Sequence, residues 1–364
     1  MTPEARERLE SLLAGARRIA DPNGPKANER RERLRASTGL SRAGVDLALA
    51  RCLETHPSPA ELDALASSVE ASPRSLVLLS ANVFVAAHRA IALALAASPQ
   101  VCVRASRREP AMASFLHEEA PGLFDLVETL DPAAGDQLFA YGNASTLDSL
   151  AGTLPAGVLL RGHGPGFGLV VCDESSIDDE NLARFVDGLS LDIVLFDQRG
   201  CLSPRLVLFQ GSAASATKLA QALAKALDDW QQRVPVGSST EAERAEAARY
   251  AATLSYSGKL VTAGPGVIGV GPIDSGLTLA PAGRSLHVLP VSDAPRRAES
   301  LATHITTFSA PCCEALRLAV TAALPLARPA RPGQMQCPAF DGPVDRRAPR
   351  SLRSHGIFQT HAAR

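Results

Sequence analysis

The chain has 364 residues, enough for about two domains with substantial cores. Hydrophobic residues at 46% and charged residues at 21% are ordinary for a soluble globular protein. A net charge of −1 and only 4% aromatic residues argue against a nucleic-acid surface or a base-stacking platform, so no nucleic-acid partner is expected.

The N-terminus, MTPEARERLE, is charged and lacks the apolar core of a secretory leader. Seven cysteines without regular spacing then predict a cytoplasmic protein with reduced thiols. The adjacent Cys312 and Cys313 do not form a CxxC motif, and no Cys/His set has zinc spacing, so no metal is expected. Periodic Leu9, Leu12 and Leu13 predict an amphipathic first helix, followed by a polar, mobile link near DPNGPKANERR. Ser58, Pro59 and Glu61 read as a capping-box start to a helix. The apolar stretch Ser75 to Val103 is interrupted by Asn82, His88, Arg89 and Pro99, so a buried strand-helix-strand unit is expected rather than a membrane span. QLFAYG, GVLLRG and FGLVVCD read as further strands, with helices between several of them. Continuous apolar strands alternating with helices indicate an α/β protein with a parallel sheet covered on both faces. SIDDENLARFVDGLSLDIVLF reads as one long helix ending just before Cys201, and RLVLFQG as the strand after it. Helices are expected at 213–232 and 241–252, then short strands within 261–290.

Cys201 follows Gly200 in a helix-to-strand turn, where a side chain is presented to a cleft. It is either a buried small hydrophobe or a nucleophile, and a neighbouring cation or backbone N–H groups would favour its thiolate. Asn82 ends the strand LVLLSAN and reads as a helix N-cap or as a donor to a developing oxyanion, with the cap favoured by position. The basic run RASRREP, Arg104 to Pro110, follows a strand end where α/β folds bind ligands, or is a solvated loop. YGNAST opens a helix whose N–H groups suit a phosphate. RGHGPGFG, lying between two strands, reads as a turn, and His163 in it as structural.

Taken together, VLLSANV, VCVRASRREP, YGNAS, DQRGCLSP and RPGQMQCPAFDGPVD resemble the acyl-CoA reductase family typified by the fatty-acyl reductase of bacterial luminescence, within the aldehyde dehydrogenase superfamily. The resemblance spans roughly residues 70 to 350, and DQRGCLSP is its most specific piece. It implies an aldehyde dehydrogenase-like fold, with a Rossmann-type cofactor domain and a second α/β catalytic domain. The expected divisions are an N-terminal helical segment over 1–70, the cofactor domain over 71–177, the catalytic domain over 178–325, and a C-terminal segment over 326–364 packing back on the body.

The implied reaction is reduction of an acyl-CoA or acyl-carrier thioester to an aldehyde, through an acyl-cysteine and hydride from a nicotinamide. By motif, Cys201 falls on the nucleophile and Asn82 on the oxyanion-stabilising asparagine. Arg104, with Ser106 and Arg107 beside it, falls at the adenosine ribose, and Gly142 and Asn143 at the pyrophosphate. Arg near a 2′-phosphate makes NADPH the expected cofactor, with NADH second. Arg161 stands where aldehyde-oxidising relatives carry the glutamate that activates water, which fits a reductase whose intermediate water must not reach. A homo-oligomer is expected because relatives form them. Two other readings stay open: a non-catalytic cofactor- or acyl-binding subunit of a larger complex, and a Cys–His hydrolase or transferase using His163.

Overall fold

Two sheets organise the chain, and each grows from the apolar runs read above. The computed structural model describes residues 1–178 and 180–347. Four helices lead: α1 (Pro3–Ala20), α2 (Ala27–Thr38), α3 (Arg42–Cys52) and α4 (Pro59–Ser67). The Ser58 hydroxyl accepts from Glu61 N–H while Glu61 accepts from Ser58 N–H, and Pro59 takes the first turn, so α4 starts as its sequence predicts.

The first sheet then alternates with helices. It runs β1 (Arg74–Leu78), α5 (Ala86–Ala97), β2 (Gln100–Arg104), α6 (Ala111–Glu119), β3 (Asp125–Leu126), β4 (Gln137–Tyr141), α7 (Ala144–Thr153) and β5 (Leu159–His163). Its order is β3-β2-β1-β4-β5 and every neighbouring pair is parallel. That order has the strand reversal of a doubly wound fold at β1, whose crevice lies beyond the carboxyl ends of β1 and β4. Helix α5 is apolar all round because the sheet covers one side and α1, α4 and α6 pack on the rest.

The second sheet contains β6 (Phe167–Asp173), β7 (Pro204–Gln210), β8 (Lys259–Ala263), β9 (Gly266–Val270), β10 (Leu286–Val291), β11 (Ile305–Ser309) and β12 (Arg328–Pro329). Its order is β12-β11-β6-β7-β10-β9-β8, parallel throughout except for the β8–β9 hairpin. Helices α8 (Leu182–Val194), α9 (Ala213–Arg233), α10 (Glu241–Ser257), α11 (Ala294–Glu299) and α12 (Glu314–Ala323) complete it. The chain crosses between sheets at residues 164–166, so β6 belongs to the second sheet rather than to the unit expected to end at 177.

Two further expectations change. The polar link near residues 21–31 becomes helix from Ala27 on, and Arg30 and Arg31 in it are engaged rather than solvated. Arg31 donates to Asp46 at 2.6 Å and to the Ala20 carbonyl at 3.1 Å, and the buried Arg30 pairs with Glu119. The long helix before Cys201 stops at Val194, and the backbone turns left-handed from Phe196. The C-terminal segment is sewn to the body by buried polar groups: the Asp192 carboxylate accepts from Gly333 and Met335 N–H, and Arg89 donates to the carbonyls of Pro338, Ala339 and Gly342. Among the described residues, no helix is long and apolar enough to cross a membrane, and no group of three or more His, Cys, Asp or Glu side chains is placed to hold a metal ion.

Candidate active site

The turn that carries Cys201 is built from an unusual backbone. Phe196, Asp197 and Gln198 have φ of 57°, 48° and 64°, a run of left-handed residues with no glycine among them. Buried polar locks hold it. The Asp197 carboxylate accepts from Arg284 at 2.7 and 3.0 Å and from Gly237 N–H at 2.9 Å. The Gln198 amide donates to the Pro204 and Ser285 carbonyls and accepts from Ser285 N–H. Gly200 follows, and a Cβ there would meet Val83 at 3.0 Å and Gln336 at 3.2 Å, so glycine fits where a larger residue would displace the wall. Cys201 then sits just ahead of β7, and its carbonyl accepts from the Thr306 hydroxyl.

Cys201 opens on a cavity of about 390 Å³ between the two sheets. Asn82 reaches it from beyond β1, Gly142 and Asn143 from beyond β4, and His163 from the end of β5. Gln336 and Asp345 close it from the C-terminal segment, and Cys52 and Glu54 from the N-terminal helices. The cavity therefore lies at the carboxyl ends of the first sheet, where open α/β sheets bind ligands. A larger cavity of about 720 Å³, lined in part by Ser176, Arg184, Ser309 and Arg317, lies by the far ends of β6 and β11 and holds none of the sequence-predicted site residues. The larger cavity carries Cys312, but its lining comes from the second sheet; the smaller cavity is the chemical candidate because it joins Cys201 to convergent polar groups from both sheets.

Four of the sequence-predicted residues, Cys201, Asn82, Gly142 and Asn143, line this cavity together. Arg104, Ser106 and Arg107 lie outside its wall: β2 ends at Arg104 and the loop after it turns toward solvent. Arg108, from the same basic run, is the one that reaches in, donating to Asn82 Oδ1 at 3.1 Å. Asn82 is not a helix cap, since α5 begins after Val85 with no side-chain cap. Oδ1 accepts from Arg108, so Nδ2 is the amide's remaining hydrogen-bonding group. Asn143 caps α7 by accepting from Thr146 N–H at 2.8 Å. Arg161 does not line the cavity; it donates to Gln137 at 2.6 Å. His163, two residues on, is the β5 side chain at the wall, stacked on Tyr141 with centroids 4.9 Å apart.

The electrostatics depart from the expectation of a cation beside the thiol. Arg199 turns away from Cys201 to pair with Glu243 at 2.9 Å and to donate to the Thr38 and Ser238 carbonyls. Desolvation instead pushes the Cys201 thiol up to about 11; Asp345 adds to this and Arg347 opposes it. Asp345 and Arg347 are themselves paired at 2.6 Å. Burial pushes His163 down to about 4, so its imidazole is neutral at pH 7. Burial raises Glu54, but Arg89 at 2.5 Å and His88 outweigh it and keep the carboxylate ionised.

The thiolate is the reactive form, so its fraction should rise about tenfold per pH unit between pH 7 and 10. We expect iodoacetamide labelling of Cys201, read by peptide mass spectrometry, to climb through that range. Asp345→Asn should shift the climb to lower pH by removing a like charge; a rate already level at pH 8 would show that desolvation does not control this thiol.

The sequence left Arg108, Gln336, Asp345 and Arg347 unassigned. Gln336 and Asp345 fall inside RPGQMQCPAFDGPVD, the late stretch that carried part of the resemblance, and that was their one available signal.

Comparison with known proteins places this geometry. The family model "Acyl-CoA reductase (LuxC)" matches residues 125–262, from β3 into β8, a span that contains Gly142, Asn143 and Cys201. No curated protein matches the chain in sequence. Among solved structures, an NAD-dependent benzaldehyde dehydrogenase from Corynebacterium glutamicum superposes with a TM-score of 0.64 at 15% identity, over 91% of this chain and 81% of that one. Lactaldehyde dehydrogenase from Escherichia coli gives 0.62 at 16% identity, over 90% and 78%. An NADP-dependent enzyme of E. coli gives 0.65 at 15% identity, over 90% and 78%. The two sheets are thus those of an aldehyde dehydrogenase-like fold, and residues 125–262 are similar to the acyl-CoA reductase (LuxC) family.

Proposed function

We propose that this protein reduces an acyl thioester, of coenzyme A or a carrier protein, to an aldehyde through an acyl-Cys201 intermediate, with NADPH as cofactor. The observation that carries the reading is the convergence of Cys201 and Asn82 on one cavity between the sheets. The Cys201 sulfur, once deprotonated, adds to the thioester carbonyl carbon. The oxyanion accepts from Asn82 Nδ2 and the Cys201 N–H, and its collapse expels the carrier thiolate and leaves acyl-Cys201. A reduced nicotinamide, when bound, supplies the hydride that takes the acyl carbon to the aldehyde level. Departure of the aldehyde restores the Cys201 sulfur.

The first sheet suits such a cofactor. Its strand order places a crevice at the ends of β1 and β4, and Gly142 leaves room there that a Cβ, 3.3 Å from Thr146, would fill. Arg104 is part-buried at the end of β2 and Arg107 is exposed in the loop after it, positions whose guanidinium groups suit a 2′-phosphate. Arg161 in place of a water-activating glutamate, tied to Gln137, supports transfer to hydride rather than to water.

One observation favours the alternative of a binding subunit without turnover: desolvation keeps the Cys201 thiol protonated at neutral pH. Intact-protein mass spectrometry after mixing with a panel of acyl-CoAs discriminates the two. The reductase reading expects an acyl mass on the Cys201 peptide that is discharged on adding NADPH, with aldehyde released. No adduct from any chain length or from acyl-carrier protein, in folded and reduced protein, would overturn it. Free acid released without NADPH would instead point to a Cys–His163 hydrolase.

A further inference from the structure

We propose that Cys52 and Cys337 form a reversible disulfide that ties the N-terminal helices to the C-terminal segment at the wall of the Cys201 cavity. The two sulfurs lie 3.5 Å apart although the residues are 285 positions apart in sequence. Cys52 ends α3 and lines the cavity. Cys337 is half-buried, and its neighbours Gln336 and Pro338 line the same cavity. Both thiols are uncombined in the reduced chain.

The pair is also asymmetric. The hydrogen bond from Cys52 lowers the Cys337 thiol, against burial and Asp192, while Cys337 and burial together raise Cys52. Cys337 is therefore the sulfur that reacts first and Cys52 the one that resolves. With a hydroperoxide as oxidant, the Cys337 thiolate attacks one peroxide oxygen and the O–O bond breaks, giving a sulfenic acid and, after protonation, water or an alcohol. Cys52 sulfur then attacks Cys337 sulfur; the hydroxyl leaves with the Cys52 proton as water. Two thiols lose two electrons and one peroxide gains them. The sulfurs close from 3.5 Å to about 2.05 Å, and the bond fixes Cys337 and its chain neighbour Gln336 to the end of α3. Gln336 donates to the Asp192 carbonyl and to Ser203, two residues after Cys201, so the bond acts on the nucleophile turn.

The test uses the full chain, treated with equimolar hydrogen peroxide, blocked with N-ethylmaleimide and digested without reductant. The expected product is one linked peptide containing Cys52 and Cys337, two hydrogens lighter than the reduced pair and released by dithiothreitol. The oxidised wild-type chain should also unfold at a higher temperature than the reduced chain, and Cys337→Ala should abolish the difference. The wild-type peptide map stands even if that variant does not fold. Linkage of either cysteine to Cys201, or a sulfinic acid at Cys337 with Cys52 still alkylated, would overturn the proposal, as would two unmodified thiols after peroxide.

Discussion

Replacing Cys201 by alanine is expected to abolish the acyl adduct and to lower aldehyde formation by at least about a thousandfold, because a covalent mechanism has no substitute for its nucleophile. The other thiol on the cavity wall, Cys52, is engaged by Cys337 at 3.5 Å, and Cys337 and burial hold it protonated, so it is not poised to inherit the role. The variant should keep its fold. Cys201 is only half-buried, and the hydrogen bond that fixes its residue goes to its carbonyl, from Thr306, which alanine retains. Loss of a small half-buried side chain costs about 1 kcal/mol or less. The urea midpoint should therefore stay close to wild type, and the nucleotide-dependent quenching of Trp230 fluorescence, where wild type shows it, should persist. Aldehyde produced by folded Cys201→Ala at a rate near wild type would remove the acyl-cysteine from the mechanism.

How much of this was legible in the sequence depended on whether a residue's role is local. The strands around SLVLLS, QLFAYG and RLVLFQG were readable because a strand buried on both faces must be apolar along its whole length. The α4 cap was readable because its two partners sit three residues apart. Arg30 and Arg31 read as part of a polar, mobile link, since their partners Glu119 and Asp46 become neighbours only when α6 and α3 pack on α2. The same holds for Asp345 and Arg347: no local pattern says that a segment near the C-terminus sets the charge around Cys201. The turn at residues 196–198 was hidden for a different reason. Left-handed backbone is ordinarily announced by glycine or asparagine, and Phe-Asp-Gln announces nothing.

That turn leads to the second large expectation. Non-glycine residues in the left-handed region cost roughly 1 kcal/mol or more each, so three in a row persist only where the surroundings over-determine them. Arg284 is the main fastener: it is fully buried, itself left-handed at φ 68°, donates from two nitrogens to Asp197 Oδ1 and donates to the Val234 carbonyl. Asp197→Asn keeps the shape of the side chain but leaves that guanidinium buried without its counter-charge, which costs about 3–5 kcal/mol. A large drop in the urea midpoint is expected. Glu243→Gln, which loosens the more exposed Arg199 pair, should lower it far less, since such pairs contribute about 1 kcal/mol or less. Cys201 reports the local consequence. With the turn released, the thiol gains water, its desolvation falls, and iodoacetamide should label it faster at pH 8 in folded Asp197→Asn than in wild type. If the midpoint falls while labelling is unchanged, the ion pair stabilises the fold without positioning the nucleophile. If neither moves, the left-handed run is held by Gln198 and its three bonds to Pro204 and Ser285 instead.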